Sequence, residues 1–287
     1  MIISTSLDKT VALCPIGKNG GNNTVYQLKS PGTCLSYDAI MHYVFVGEIS
    51  GLITLLRLVR QSDGVKYQFM QELRSHTEEI TGLAWDSLGS RLFSSSKDCS
   101  VISWDIGNDK GDFYVLQAHV KEATSVCWWA RGVSPIENNP HGMAISTDLD
   151  GLLVFWFTSS SRQPPAKWSS ADKCEVCNSP FFWDIRSMWK IKSLAFNRQH
   201  HCRRCGKATC AKCSEFFTVL PTMGFEREVR VCEDCFGTVT NVKKRSLALP
   251  FQTNQPIKRV KVNEQNDIIA TIGKDRVIKF WKAASLA

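Results

Sequence analysis

Eight of the twelve cysteines occur as four pairs in which two residues separate the thiols. Two thiolates at this spacing can share one tetrahedral Zn²⁺, and eight thiolates complete two four-sulfur sites. Such closed sites leave no open position for water, which argues for structural zinc and against a hydrolytic metal. The sequence therefore predicts two zinc ions per chain, held by Cys174, Cys177, Cys202, Cys205, Cys210, Cys213, Cys232 and Cys235.

The spacing between the pairs leaves open which pairs share an ion. The first and second pairs are separated by 24 residues, the second and third by 4, and the third and fourth by 18. Closing the second and third pairs on one ion is awkward across so short a connection. We therefore expect an interleaved arrangement, in which the first pair joins the third and the second joins the fourth.

The composition indicates a globular chain rather than a disordered or fibrous one, since 43% of the 287 residues are hydrophobic and 22% are charged. The longest apolar run, Leu152 to Phe157, is far shorter than the ~18 residues of a membrane span. The N-terminus lacks the features of a secretory signal. We therefore predict a cytoplasmic protein whose paired cysteines bind metal rather than form disulfides.

The net charge of +8 is concentrated in the second half of the chain. Residues 237–261 carry six basic side chains and no acidic one, which suggests an anionic partner. Within this range Lys243, Lys244 and Arg245 could be attracted to an anionic membrane at ~1 kcal/mol per base. The alternative is that these three bases form a solvated linker.

Five segments share one pattern, a small or acidic residue followed six positions later by a residue that is usually aliphatic or aromatic. They are Asp8–Cys14, Ser50–Leu56, Asp98–Trp104, Asp150–Trp156 and Asp275–Trp281. Each follows a β-favouring run, so the pattern predicts a strand, a tight turn and a second strand. The first three steps, 42, 48 and 52 residues, lie at or just above the ~40–45-residue period of propeller blades. The last step, 125 residues, leaves about 80 for a domain inserted between two blades.

The repeats resemble the WD-repeat family. Trp104-Asp105 matches its eponymous dipeptide, and His76 and His119 stand where its Gly-His pair opens a blade. The resemblance implies a buried hydrogen-bond network in each well-formed blade, because buried polar groups must find partners. The expected members are His76 with Ser96, Asp98 and Trp104, and His119 with Asp150, Trp156 and, as a third donor, Ser146.

The five segments amount to about four and a half blades, since residues 1–14 supply only two strand-like runs. A closed ring with the family's usual seven blades would need about two more upstream. We expect an N-terminally incomplete propeller, because a propeller protects its edge strands by closing on itself.

The cysteine-rich segment, residues 168–236, resembles the FYVE zinc-finger family. Its stretch Arg198-Gln-His-His-Cys-Arg203 is similar to the family's R-[RK]-H-H-C-R signature, and Arg230-Val-Cys232 matches its R-V-C triplet. The family's ligand is phosphatidylinositol 3-phosphate, which the resemblance implies is bound by convergent arginines and histidines. The headgroup contacts carried over from the family are Asp172, Arg198, His200, His201, Arg203 and Arg230.

Two positions depart from the family pattern. Gln199 stands where the family usually has a second base, and the upstream W-x-x-D motif is one residue longer, from Trp168 to Asp172. The aspartate is expected to accept hydrogen bonds from inositol hydroxyls and to repel additional phosphates. Both departures predict a reduced headgroup affinity with a retained preference.

Leu194 and Phe196 lie just before the basic stretch, where the corresponding loop of the family enters the bilayer interface. Two apolar side chains at ~1.5–3 kcal/mol each cannot hold a protein on a membrane alone. Insertion must then act together with headgroup binding, and a homodimer would multiply both. The alternative is that Leu194 and Phe196 pack inside the finger.

The order of the segments resembles that of the WD repeat and FYVE domain-containing proteins, in which the finger precedes the last blade. We predict a mainly β chain, a WD-repeat β-propeller with an inserted, cross-braced two-zinc FYVE finger. The expected domains are blades in 1–160, the first partial, a linker in 161–167, the finger in 168–236, a basic linker in 237–255 and a final blade in 256–287.

The resemblance implies a non-enzymatic adaptor that is peripheral on the early endosome membrane, with a propeller that binds signalling proteins such as serine/threonine kinases. The chain shows no phosphate-binding glycine loop, nucleophile elbow or paired catalytic carboxylates. Two alternatives are a RING-like ubiquitin ligase and a nucleic-acid-binding zinc module. RING fingers normally mix histidine among their ligands, and the bases here cluster around one site rather than along a stripe, so no nucleic acid is expected.

Overall fold

The computed structural model describes residues 1–16, 23–62, 64–107, 113–130, 142–158, 162–181, 198–239 and 246–282. The chain divides into a sheet unit, Met1–Ser160 with Ala248–Ala287, and a finger unit, Ser161–Leu247. Strands dominate the described residues, which agrees with the mainly β prediction, and the α-helix among them, α1, spans Glu233–Val239. No helix in these ranges has the length and apolar character that crossing a bilayer requires.

Five antiparallel sheets make up the described part of the sheet unit. Sheet 1 contains β1 (Ile2–Thr5), β2 (Thr10–Cys14) and β3 (Thr24–Gln27). Sheet 2 contains β4 (Gly32–Tyr37), β5 (Tyr43–Glu48), β6 (Leu52–Gln61) and β7 (Gly64–Arg74). Sheet 3 contains β8 (Ile80–Asp86), β9 (Arg91–Ser96), β10 (Val101–Asp105) and β11 (Phe113–Leu116). All five repeated segments lie on hairpins between two paired strands, as the strand–turn–strand pattern predicts.

Sheets 4 and 5 complete this unit. Sheet 4 contains β12 (Ala123–Trp129), β13 (Met143–Asp148), β14 (Leu152–Phe157) and, after the finger unit, β19 (Ala248–Gln252). Sheet 5 contains β20 (Ile257–Asn263), β21 (Ile268–Gly273) and β22 (Ile278–Lys282). Sheet 4 is therefore assembled from two stretches of chain that lie far apart in the sequence.

The finger unit interrupts sheet 4 rather than the connection between two sheets. β19 pairs antiparallel with β14, with Trp156 opposite Ala248. The expected insertion between two blades is therefore wrong, and the expected linker 237–255 contains the fourth strand of sheet 4. This strand is hard to see in the sequence because it contains Pro250, but an edge strand tolerates proline since an outward-facing N–H needs no partner.

Apolar side chains between successive sheets form the core of the sheet unit. Separate clusters join sheet 1 to sheet 2, sheet 2 to sheet 3, sheet 3 to sheet 4 and sheet 4 to sheet 5. Phe45, Phe93 and Trp156, from sheets 2, 3 and 4, are among the largest fully buried side chains. Because a sheet must bury an apolar face against another element, each sheet depends on its neighbours for stability.

A threonine at a β-bulge adds a polar link between neighbouring sheets. The registers of sheets 2, 3 and 4 shift at Thr33, Thr81 and Thr124, on the first strand of each sheet. Their hydroxyls donate across to the carbonyl oxygens of Ile80, Ala123 and Ile257, at 2.6, 2.6 and 2.7 Å. Each bulge thus satisfies a carbonyl at the start of the next sheet.

A buried hydrogen-bond network lies in sheet 3. Trp104 Nε1 donates to Ser94 Oγ at 2.8 Å, and His76 Nε2 lies 2.8 Å from the same hydroxyl. On the other side of the ring, His76 Nδ1 lies 2.8 Å from Asp98. The expectation of Ser96 in this network is wrong. The register of the hairpin brings Trp104 within reach of Ser94, whereas Ser96 lies two residues nearer the turn and donates to a backbone carbonyl.

Sheet 4 repeats the network with His119. Ser146, which we expected as a third donor, receives a hydrogen bond from Trp156 at 2.8 Å and lies 2.6 Å from His119 Nε2. The carboxylate beside His119 Nδ1 is Asp148, at 2.9 Å, so the expectation of Asp150 is wrong. In this turn Gly151 has a positive φ, and the carboxylate of Asp148 accepts a hydrogen bond from the backbone N–H of Asp150.

The finger unit contains two small hairpins and α1. The hairpins pair β15 (His200–His201) with β16 (Ala208–Thr209), and β17 (Phe216–Leu220) with β18 (Phe225–Val231). One apolar cluster packs β17 and β18 against α1, and a second, smaller cluster surrounds Cys174. The two ends of the unit meet where Arg162 donates to the Leu247 carbonyl at 3.2 Å.

Candidate zinc and anion-binding sites

The eight paired cysteines form two groups of four in which every Sγ atom lies within 4.8 Å of the others. The first group is Cys174, Cys177, Cys210 and Cys213, and the second is Cys202, Cys205, Cys232 and Cys235. The first pair thus joins the third and the second joins the fourth, so the interleaved arrangement predicted from the spacing is confirmed.

Distances within both groups fit a tetrahedral zinc ion. The Sγ atoms of Cys177 and Cys210 lie 3.7 Å apart, and those of Cys205 and Cys232 lie 3.9 Å apart. With Zn–S bonds of ~2.3 Å, two sulfurs of a tetrahedral site are ~3.8 Å apart. Each group can therefore hold one Zn²⁺ whose four positions are all taken by sulfur, which makes both ions structural.

The thiols of the second group need a cation before all four can ionise. Burial opposes ionisation of Cys202, but hydrogen bonds from the backbone N–H groups of Cys205, Cys232 and Arg204 outweigh it and lower the pKa of Cys202 to about 7. Burial, together with the hydrogen bond and charge of Cys202, raises the pKa of Cys205 to about 11 against the lowering effect of the backbone N–H of Lys207. One thiolate thus suppresses its neighbour, and a divalent ion removes that repulsion.

The second zinc group brings two arginines from distant parts of the sequence together. Arg203 follows one ligand, Cys202, and Arg230 lies just before another, Cys232. The backbone N–H of Arg203 donates to the carbonyl of Arg230 at 3.0 Å. Burial lowers the pKa of Arg203, and the positive charge of Arg230 lowers it further. The two arginines are therefore joined through their backbones, and each guanidinium lies in the electrostatic field of the other.

His200 lies in the electrostatic field of the same cations. Burial lowers the pKa of His200, and the charges of Arg230, Arg198 and Arg203 lower it further. Among the described residues, none of these four groups forms an ion pair with a carboxylate. Three arginines that lack a carboxylate partner among the described residues can bind an anion, because an anion relieves their repulsion and accepts their hydrogen bonds.

Trp168 forms a platform for two members of the predicted site. Its ring stacks on that of His201, with centroids 4.8 Å apart and an interplanar angle of 10°. The Arg203 guanidinium lies 4.6 Å from the Trp168 ring centroid, a cation–π contact. His201 Nε2 also donates to the Ser169 carbonyl at 2.8 Å, which leaves its Nδ1 for a ligand. Trp168 and Ser169 therefore fix the orientation of His201.

Gln199 connects the basic stretch to the segment that ends at Asp172. Its Nε2 donates to the Ala171 carbonyl at 3.3 Å, so the residue next to Asp172 is fastened to the basic stretch. Asp172 itself is exposed. Gln199, which stands in place of the family's second base, thus has a structural role, since its amide can both donate and accept hydrogen bonds.

Two supporting contacts of Arg230 were not predicted from the sequence. Arg230 Nη1 donates to the Ser214 carbonyl, and the Arg230 guanidinium lies 4.9 Å from the centroid of Phe217. By contrast, Arg204 donates to the Cys235 carbonyl at 3.2 Å and thus contacts α1. The alternation in β17 could have indicated Phe217, because one of its two adjacent phenylalanines must face outward.

The proposed membrane-insertion residues, Leu194 and Phe196, lie outside the described residues. The same holds for the basic run Lys243, Lys244 and Arg245. Membrane insertion by Leu194 and Phe196 remains a prediction from the sequence. So does the attraction of Lys243, Lys244 and Arg245 to an anionic membrane.

Comparison with known proteins agrees with this two-part chain. The FYVE zinc finger family model matches residues 165–241, and the WD domain, G-beta repeat model matches residues 67–105. One relative, "WD repeat and FYVE domain-containing protein 1" from Mus musculus, is 36% identical over 98% of this chain and 65% of its own length. A second, "WD repeat and FYVE domain-containing protein 2" from Caenorhabditis elegans, is 32% identical over 100% of this chain and 66% of its own length. Its Homo sapiens counterpart is 35% identical over 98% of this chain and 66% of its own length.

The chain thus spans about 65% of the length of the curated relatives it matches. The similarity runs through both units and includes the order of repeats and finger. The two four-cysteine groups are those that a FYVE zinc finger requires. Over 98% of its length the chain is thus similar to the WD repeat and FYVE domain-containing proteins.

Proposed function

We propose that the finger unit binds phosphatidylinositol 3-phosphate in endosomal membranes and that the chain acts there as a non-enzymatic adaptor. The observation that carries this proposal is the convergence of Arg203, Arg230 and His200 without a carboxylate partner among the described residues. A phosphomonoester supplies the missing negative charge, and its oxygens suit the fork-shaped donors of arginine. The match to the FYVE zinc finger model supports a membrane lipid as the source of that phosphate.

Each residue of the site has a distinct proposed role. Arg203 and Arg230, which lie close in the sequence to two different ligands of the second zinc group, bind the phosphate oxygens. The exposed Arg198 adds a third charge at the rim. His200 donates from its ring. His201 already donates from Nε2 to a backbone carbonyl, so it can donate to the phosphate from Nδ1 only as the imidazolium, which carries a proton on both nitrogens.

Asp172 is the proposed determinant of lipid preference. Its segment is joined to the basic stretch through the hydrogen bond of Gln199 to Ala171. An exposed carboxylate at this point accepts hydrogen bonds from free inositol hydroxyls. It repels a phosphate attached at the same hydroxyls, so lipids with further phosphates are disfavoured.

The adaptor role rests on the family and on the sheet unit. Stacked sheets offer loops and edges for protein partners, and we propose signalling proteins, such as kinases, as the class of partner. Early endosomes are the proposed location, because phosphatidylinositol 3-phosphate is the proposed ligand. The named relatives are longer than this chain, and the activities of the whole proteins extend to this chain only as part of this proposal.

Flotation of the zinc-loaded full chain with vesicles tests the proposal. The vesicles carry phosphatidylinositol, its 3-, 4- or 5-phosphate, or its 3,5-bisphosphate, at equal total charge. We expect preferential flotation with the 3-phosphate. Arg203→Ala should reduce that binding at least tenfold, because removing a charged hydrogen-bond donor costs ~1.5–3 kcal/mol.

Arg227→Ala is the matched control. Arg227 lies on β18, three residues from Arg230, and its side chain is exposed. This variant loses the same net charge but should bind nearly as the wild type does. Equal flotation with all lipids, or an equal loss in both variants, would leave only non-specific attraction to acidic surfaces and contradict the proposal.

A further inference from the structure

Phe217 is a large apolar side chain that remains exposed in a unit with a small core. It lies on β17, where alternate residues face opposite sides. Its neighbour Phe216 packs on Phe236, with ring centroids 5.0 Å apart, whereas 46% of the Phe217 surface is exposed. The buried side of the hairpin is therefore complete without Phe217, and its ring is presented outward.

The position of Phe217 places that ring beside the proposed headgroup site. Phe217 pairs directly with Arg230 across the hairpin, and its ring centroid lies 4.9 Å from the guanidinium. The carbonyl of Arg230 in turn accepts the backbone N–H of Arg203. The exposed Glu228, two residues along the same strand face, marks where the basic surface ends.

A lipid surface is the partner that fits this combination. Among the described residues, neither Arg230, which contacts Phe217, nor Arg203 forms an ion pair with a carboxylate, so the surface is complementary to anionic headgroups. Aromatic side chains are favoured in the interfacial layer, where an apolar ring lies below the headgroups and cations reach the phosphates. A purely protein partner would not need a ring stacked directly on a phosphate-binding arginine.

We propose that Phe217 is an apolar membrane contact that enters the lipid interface beside the bound headgroup. This inference rests on the proposed binding of a phosphoinositide by the finger unit. The contact is separate in the sequence from Leu194 and Phe196. Because one apolar side chain adds only a modest membrane affinity, its effect is expected as a strengthening of headgroup binding rather than as binding by itself.

The test compares Phe217→Ser with Phe217→Leu in the zinc-loaded full chain. Both variants lose the ring over Arg230, but only Phe217→Leu keeps a large apolar surface. Affinity for a soluble short-chain phosphatidylinositol 3-phosphate is measured by titration, and affinity for vesicles containing the long-chain lipid by flotation. We expect the two variants to bind the soluble lipid equally. Phe217→Ser should bind the vesicles about tenfold more weakly than Phe217→Leu.

The matched control is Phe280→Ser on β22, where 72% of the phenylalanine surface is exposed. It should leave both affinities unchanged. A zinc content of two per chain shows that the finger unit of each variant is folded, and an unchanged thermal midpoint shows the same of the sheet unit. Equal vesicle affinity of the two Phe217 variants, or an equal loss in Phe280→Ser, would overturn the inference. If the wild type binds neither soluble lipid nor vesicles, the proposed function itself fails, which is a distinguishable result.

Discussion

The two adjacent histidines of the basic stretch are not equivalent. His201 is fixed by the ring of Trp168 and by the carbonyl of Ser169. His200 has no such stacking partner among the described residues, and it lies close to the charges of Arg198 and Arg230. The sequence assigns both the same role, because the repeat His-His carries no information on which ring atoms are already hydrogen-bonded.

Trp168→Ala should weaken binding of a soluble phosphatidylinositol 3-phosphate headgroup about fivefold, or ~1 kcal/mol. The tryptophan ring contacts both His201 and Arg203, so its removal frees two groups that then lose conformational entropy on binding. Isothermal titration of the zinc-loaded chain measures the effect. Trp168→Phe should recover most of the affinity, and a variant that binds as well as the wild type without any ring here would contradict this positioning role.

At the scale of the elements, the same turn recurs with different consequences. In the β1–β2 turn Asp8 accepts the backbone N–H and hydroxyl of Thr10, at 2.9 and 2.6 Å. In the β9–β10 turn Asp98 accepts the same two groups of Ser100, at 3.0 and 2.6 Å. Asp98 also binds His76, so the turn of sheet 3 connects to the buried network and that of sheet 1 does not.

Asp98→Asn should destabilise the sheet unit by about 2 kcal/mol at neutral pH. Burial raises the pKa of Asp98, but hydrogen bonds and the charge of His76, with hydrogen bonds from Ser100 and Thr77, outweigh it and hold the pKa at about 2. Since this pKa lies below the usual 3.8, the stabilisation is present above about pH 4 and disappears as the pH falls towards 2. Denaturant unfolding of wild type and variant between pH 7 and 2 measures the difference.

The exposed aspartate of the equivalent turn provides the control for this prediction. Asp8→Asn removes the charge at the equivalent turn, but its amide oxygen can still accept from Thr10 and no buried partner is lost, so the free energy of unfolding should change little. The stability curves of wild type and Asp98→Asn should converge at low pH, whereas Asp8→Asn should follow the wild type throughout. A constant difference between wild type and Asp98→Asn down to pH 2 would rule out the carboxylate–His76 contact as the cause.

At the scale of the whole molecule, the finger unit is an insertion into a β-hairpin. Trp156 of β14 lies opposite Ala248 of β19, so the strand ends are only ~5 Å apart. Arg162 and Leu247, at the two ends of the finger unit, also meet through a hydrogen bond. The entry and exit of the insertion are thus adjacent in both units, as is required if each is to fold around its own core.

Replacing residues 159–246 with a four-residue Asn-Gly-containing turn should leave the sheet unit folded. The new turn closes the β14–β19 hairpin directly, while both zinc groups and all binding to phosphoinositide vesicles are lost. Circular dichroism, thermal unfolding and flotation measure these outcomes. We expect the thermal midpoint of the sheet unit to change by no more than about 4 °C.

Zinc chelation of the full chain is the complementary experiment. Removing both ions should expose residues 161–247 to proteolysis and abolish vesicle binding, because four-sulfur sites contribute directly to folding free energy. The sheet unit should unfold at its original midpoint. If the deletion variant fails to fold, or if the chelated chain keeps a protease-resistant finger, the two units are not independent in the way that the hairpin insertion implies.

The sequence alone determined the features that depend on short-range spacing. Four pairs of thiols, each separated by two residues, together indicate metal ligands. The four-residue connection between the second and third pairs favoured the interleaved grouping, because closing both pairs on one ion across it is awkward. The recurring turn and its following strand likewise identified the sheets, because a hairpin is a local structure. Both inferences needed no knowledge of the rest of the chain.

Only the tertiary structure decided which distant residues meet. The return of Ala248–Gln252 to sheet 4, the choice of Ser94 over Ser96 and of Asp148 over Asp150, and the stacking of Phe217 on Arg230 all depend on register or on packing across many residues. In a strand, a shift of two residues keeps a side chain on the same face, so periodicity cannot choose between candidates such as Ser94 and Ser96. That choice is made by the free energy of the assembled hairpin and its buried hydrogen bonds.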